Sequence, residues 1–156
     1  MEFRRILAPT DFSSFSEVGL RAAAELAHRV GARLTLLHVM AEGELEALAS
    51  AHVPRHPVDL IYQDIEGAVM DHYRRVVSAE LRRDLSAEPV VAVGIAALEI
   101  VRAARLKDAD VVVMGTHGRT CQARMVMGSV TEQVVRRAPC PVLTVRPAEV
   151  VVEAVA

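Results

Sequence analysis

Met114-Gly115-Thr116-His117-Gly118, followed after nine further residues by Gly128-Ser129-Val130-Thr131, gathers three glycines, three hydroxyls and a helix start in one stretch of chain. The strand-like run Asp110-Val111-Val112-Val113 leads into it. Strand, glycine loop and helix start, in that order, are the parts of a phosphate cradle. The first amides of a helix have no intrahelical acceptor, and the helix dipole puts its positive end beside them. Gly115 and Gly118 let the backbone turn sharply and approach a ligand with no Cβ in the way. Gly128 and Ser129 would present the amides of the next helix, with Ser129 and Thr131 adding hydroxyl donors. A Walker-type Gly-Lys-[Ser/Thr] is absent, and the chain's one lysine, Lys107, is distant from the loop. Charge neutralisation would fall to the amides, to His117, Arg119 or Arg124, or to a metal ion. The same residues also fit a structural reading, with Ser129-Val130-Thr131-Glu132 as a capping box and the glycines serving a tight turn.

The elements that would position this segment alternate between strand and helix. Arg5-Ile6-Leu7-Ala8 is a short apolar run ending at Pro9-Thr10-Asp11, as a strand buried on both faces would. Ser14-Phe15-Ser16-Glu17 has capping-box spacing, and a helix from about Phe15 to Val30 follows, with Val18, Ala22, Leu26 and Val30 along one face and Gly31 as its stop. Arg33 to Val39 is the second strand. The pattern loosens between Met40 and Leu60, where a short helix near Glu44 to Ser50 is compatible with the residues. His52 and His56 are four apart there, but Pro54 between them argues against a shared helical face and a metal site.

From Val58 to Asp84 the apolar positions Ile61, Ile65, Val69, Tyr73, Val76, Val77 and Leu81 predict one long amphipathic helix. Pro89 to Val93 is the third strand, ending in Gly94, and Leu98 to Lys107 a helix with Leu98, Val101 and Leu106 as its apolar positions. Val111 to Met114 is the fourth strand. Pro139 ends the last helix, and Pro141 to Pro147, with proline at both ends, is a fifth strand suited to a sheet edge. Five strands with intervening helices predict a parallel, doubly wound α/β sheet, since parallel returns need right-handed crossovers. Ligands of such sheets sit at the carboxyl ends of strands where the strand order reverses. The turns after the first and fourth strands, carrying Asp11 and Gly115, are therefore the expected site. Asp11 reads either as a ligand contact or as a favourable charge at a helix N-terminus.

Composition narrows the function. At 156 residues, the chain suits one domain over residues 1–147 with an apolar tail over 148–156. A formal net charge of −2 and a pI near 6.3 give no basic field for nucleic acid or anionic lipid. No apolar run is long enough to cross a bilayer and Met1-Glu2-Phe3-Arg4-Arg5 has no signal-peptide sequel, which points to the cytoplasm. Cys121 and Cys140 read as free thiols without a catalytic role.

Gly115-x2-Gly118-x9-Gly128-Ser129, preceded by Asp108-Ala109-Asp110-Val111-Val112-Val113-Met114 and followed by Val130-Thr131-Glu132-Gln133 and the run to Pro141-Val142-Leu143-Thr144-Val145-Arg146, resembles the signature region of the universal stress protein family. Arg5-Ile6-Leu7-Ala8-Pro9-Thr10-Asp11-Phe12-Ser13 is similar to that family's first strand and turn. The resemblance implies a Rossmann-like, adenine nucleotide alpha hydrolase-like sheet of five parallel strands in the order 3-2-1-4-5, usually dimeric, in the ATP-binding branch. Carried over by position, Pro9, Thr10 and Asp11 would border the adenosine and the backbone of Val39 would meet the adenine edge. Met114 and Gly115 would lie near the ribose; Gly118, Arg119, Gly128, Ser129, Val130 and Thr131 would hold the phosphates of ATP, with Mg2+ as the accompanying cation.

Two positions depart from the pattern: Cys121 stands where members often have glycine, and Ile95-Ala96-Ala97 where a proline is common. No carboxylate sits where a hydrolytic base is needed, so the expected role is a stress-response binding module with slow or no turnover. The alternative is a nucleotide-independent dimeric interaction module, paired through Val142, Leu143 and Val145 of the fifth strand. Related adenylating or ATP-pyrophosphatase enzymes carry a Ser-Gly-Gly-rich loop after the first strand, and Pro9 to Ser13 contains no glycine.

Overall fold

A computed structural model of the protein describes residues 2–51, 58–116 and 127–147. The chain runs β1 (Arg5–Thr10), α1 (Ser14–Val30), β2 (Arg33–Met40), α2 (Glu42–Ala51), α3 (Val58–Val76) and α4 (Ala79–Arg83). It continues through β3 (Ala87–Val93), α5 (Ala96–Leu106), β4 (Val111–Gly115), α6 (Ser129–Arg137) and β5 (Val142–Val145). All strand pairs are parallel, in the order β3-β2-β1-β4-β5, as expected. β5 lies at an edge, where flanking prolines cost no ladder bonds to an outer neighbour.

Strand alternation sorts the core into two layers. Ile6, Ala8, Leu34, Leu36, Val111 and Val113 face α1 and α3, whereas Leu7, Leu37, Val112 and Met114 face α5 and α6. Both faces are covered, so the strands read as continuous apolar runs in sequence.

The helices differ from expectation in instructive ways. α1 buries Ser16, Gly19, Leu20, Ala23, Ala24 and Ala27, not the stripe Val18–Ala22–Leu26–Val30, and Val30 is 46% exposed. Small side chains win the inner face because they let the helix lie close to the sheet, and the larger ones flank the contact. The cap of α1 is Ser13, whose hydroxyl accepts from the Ser16 amide at 3.2 Å; Glu17 pairs instead with Arg21 at 3.4 Å, so the Ser14 capping box does not form. Gly31 ends the helix at φ +68° as predicted.

The expected single helix over 58–84 is two, because Ser78 adopts an extended backbone and caps α4 through the Leu81 amide at 3.4 Å. Its apolar spacing survives the break, since Val76 and Leu81 pack on the same core from either side of it. In α5 the buried residues are Ala97, Ile100, Val101, Ala103 and Ala104, while Leu98 and Leu106 are exposed. The segment near Glu44 to Ser50 is a helix, starting two residues earlier. His52, Pro54, His56 and the tail over 148–156 lie outside the described residues. Among those described, no helix is long and apolar enough to cross a membrane.

Candidate functional site

The chain builds β1, β2 and β3 to one side of the sheet before crossing to β4 and β5, so the order reverses between β1 and β4. These two strands are in register at Ile6↔Val111 and Leu7↔Val112; each then runs on to its carboxyl end, one through Pro9 and Thr10, the other through Met114 and Gly115. Pro9 has no N–H to give a ladder, which suits a position where two strands part.

The turn leaving β1 is tightly bonded. The Thr10 hydroxyl accepts from the Phe12 amide at 3.2 Å and lies 3.2 Å from the Ser16 hydroxyl. The Thr10 carbonyl meets Nδ1 of His38 at 2.9 Å. The Asp11 carboxylate accepts from both the amide and the hydroxyl of Ser13, at 3.0 and 2.5 Å. Asp11 is thus oriented by the residue that caps α1. Phe12 between them has φ +64°, and its ring lies 4.5 Å from that of His38 and 5.2 Å from that of His72 on α3.

On the β4 side, the Thr131 hydroxyl donates to the Gly115 carbonyl at 3.0 Å, the Gly128 amide to the Thr116 carbonyl at 2.7 Å, and the Thr116 amide to the Val145 carbonyl at 3.0 Å. These bonds pin the start of α6 to the ends of β4 and β5. Gly128, not Ser129, is the N-cap and brings no side-chain acceptor, so the amides of Ser129, Val130 and Thr131 are the ones helix geometry leaves for an external anion. Glu132 bonds Arg136 at 3.0 Å instead of reaching back, and the capping-box reading of Ser129 fails for that reason. Ser129 is exposed, whereas Thr131 is buried with its hydroxyl engaged, which leaves its amide as the group to offer.

Most of the expected residues therefore come together at one rim of the sheet. Pro9 and Thr10 end β1 with Asp11 next in the turn, and Val39 follows His38, the β2 residue in register with Thr10. Met114 and Gly115 end β4, and Gly128 to Thr131 open α6. Gly118 and Arg119 lie outside the described residues, as do His117, Cys121 and Arg124. Among the described residues no group of three or more His, Cys, Asp or Glu side chains could hold a metal ion. Sequence reasoning missed Gly19, where a Cβ would meet the Gly115 nitrogen at 2.5 Å, although a glycine inside a helix is a signal of close approach. It also missed Phe12 and His72, for which no local signal exists.

The family model described as "Universal stress protein family" matches residues 2–146. Universal stress protein YxiE of Bacillus subtilis is 30% identical over 147 residues, covering 92% of this chain and 99% of its own. The structure of MJ0577 from Methanocaldococcus jannaschii superposes with a TM-score of 0.73 at 27% identity, covering 94% of this chain and 98% of that one. A universal stress protein from Archaeoglobus fulgidus, in complex with dAMP, has a TM-score of 0.60 at 22% identity over 92% of this chain and 98% of its own. A match over nearly the whole length, on a sheet with this strand order, makes the chain a member of the universal stress protein family.

Proposed function

We propose that this chain binds ATP at the carboxyl rim of its sheet and serves as a cytoplasmic, nucleotide-responsive module in stress response, with slow or no hydrolysis. The observation that carries the reading is the junction at the strand-order reversal. There the amides of Ser129, Val130 and Thr131 open α6 beside the end of β4, and Asp11 follows the end of the neighbouring β1. An anion suits the first group and a hydroxyl- or amine-bearing nucleoside the second. The dAMP bound by the Archaeoglobus relative supports an adenine nucleotide.

In this reading Pro9, Thr10 and Asp11 border the adenosine, Val39 meets the adenine edge through its backbone, and Met114 and Gly115 lie at the ribose. Gly118, Arg119 and Gly128 to Thr131 hold the phosphates, with Mg2+ accompanying them. Slow turnover follows from the donor set. Asp11 is the motif's one carboxylate, it belongs to the adenosine end, and it already accepts two hydrogen bonds from Ser13. A homodimer through β5 completes the proposal, supported by Leu143 standing 46% exposed on that edge.

Titrating ATP by calorimetry and thermal shift against the wild type and Gly118→Val tests the site. The wild type is expected to gain RT ln(1 + [L]/Kd), ~2.7 kcal/mol at a hundredfold excess over Kd, and the variant little. Equal shifts, or none, would remove the site as drawn. Turnover of tens per second abolished by Asp11→Ala would replace the binding module with an enzyme.

A further inference from the structure

Phe12 occupies a left-handed backbone position, φ +64°, that a bulky residue keeps only when its side chain is held. Two histidines hold it. His38, tied through Nδ1 to the Thr10 carbonyl at 2.9 Å, lies under the ring at a 44° tilt. His72 meets it edge-on at 81°, with 5.2 Å between centroids. His72 is 3% exposed, and its Nε2 has no hydrogen-bond partner among the described residues. On its other side, Nδ1 stands 3.5 Å from the Arg75 guanidinium. Nε2 meets no acceptor among those residues and Nδ1 faces the Arg75 guanidinium, so a charged imidazole would be desolvated with neither N–H bonded.

We propose that His72 is a positioning residue of the nucleotide site: its neutral ring holds Phe12, and through Phe12 the turn carrying Asp11, so protonation of His72 weakens adenine-nucleotide binding in mild acid. The inference rests on the nucleotide-binding reading for its ligand but not for its mechanism. The groups acting on the ring are Glu17 of α1 and Asp11 of the turn, which favour the charge, and Arg75 of α3, which opposes it; His38 of β2 lies across Phe12. Burial outweighs them and pushes the His72 imidazole below its ordinary 6.5. The sign follows. A folded-state value below the unfolded one means that the neutral ring's contribution is complete above pH 6.5 and is lost as pH falls through the lowered value. A ring that gains charge seeks water, Phe12 loses one of its two supports, and the Asp11–Ser13 bonds lose the backbone that aligns them.

Calorimetric titration of ATP against the full chain and His72→Phe, at about pH 7.5 and about pH 5, reads the coupling. The Kd of the wild type is expected to rise at least about fivefold more than that of the variant, the lower end of the coupling usual between two sites. The rise common to both contains every pH effect that does not pass through the His72 ring. Equal rises overturn the proposal. A second measurement needs no ligand: in the NMR pH titration of the wild type, the amides of Asp11, Phe12 and Ser13 should move with the midpoint of the His72 ring. Independent movement overturns the proposal even where ATP binds. Coupled movement without ATP binding would sustain the positioning role and reject the nucleotide reading.

Discussion

Gly19 is where α1 and β4 come closest, and the contact leaves no room for a methyl group: a Cβ there would sit 2.5 Å from the Gly115 nitrogen and 2.7 Å from the Met114 carbonyl carbon. Both partners are backbone, so the strain of Gly19→Ala cannot be relieved by rotating a side chain. The helix must move away from the strand end that forms one wall of the site. The substitution is expected to cost ~1–3 kcal/mol in urea denaturation, as overpacked cores do. It should also weaken ATP binding, because Met114 and Gly115 shift with it. Gly67, on the exposed face of α3 where an added Cβ would meet nothing within 4 Å, supplies the contrast. Gly67→Ala should stabilise by ~0.5–1 kcal/mol, since alanine loses less backbone freedom in a helix. If both variants moved in the same direction, close approach would not be the reason for Gly19.

Asp110 fastens β4 to β1 at the end of the sheet opposite the site. Its carboxylate accepts from the Arg4 and Arg5 amides at 2.9 and 2.8 Å and pairs with the Arg5 guanidinium at 3.1 Å, and those bonds, the Arg5 side chain first, lower its pKa from 3.8. A depressed carboxylate stabilises the fold above its unfolded value and loses that contribution as pH falls through the folded one. Asp110→Asn should therefore lower the urea midpoint at about pH 7 and approach the wild type as pH falls below 3.8 through the lowered value; a difference that stays constant would contradict the linkage. How much of this architecture the sequence disclosed depended on what each element packs against. Strands covered on both faces have no polar side, so β1, β2 and β4 stand out as apolar runs, and the glycine spacing after β4 marked the rim at which binding is proposed. The helix faces did not stand out in the same way, because α1 and α5 turn alanines inward and leave Val30, Leu98 and Leu106 exposed. A search for large apolar residues selects the wrong stripe in both. Ser13 displaced Ser14 as cap because Asp11 bonds it, and the meeting of Phe12 with His72 joins elements whose proximity exists only after folding.

A sheet of five strands has two edges, and they are finished differently. On β3, Glu88 pairs with Lys107 at 3.0 Å and accepts from Thr35 at 3.1 Å, and Pro89 withholds an amide, both devices that discourage a further strand. On β5, Val142 and Val145 turn into the two cores while Leu143 projects outward at 46% exposure, with no charge on the strand itself. The same strand is bonded to the end of β4 through the Thr116 amide and the Val145 carbonyl, so a second chain paired here would brace the wall that carries Thr116 and α6. A symmetric pair through β5 is the economical closure, because one exposed surface then satisfies its twin. Sedimentation equilibrium should give a dimer for the wild type and a monomer for Leu143→Lys, lysine being the residue that natural edge strands use against pairing. The variant should retain its far-UV circular dichroism and bind ATP, since every residue assigned to the nucleotide comes from one chain. A monomeric wild type would remove the dimer from the proposal. A variant that stays dimeric would move the interface to another apolar surface, for which Leu98 and Leu106 beside Arg105 on the outer face of α5 are the next residues to charge.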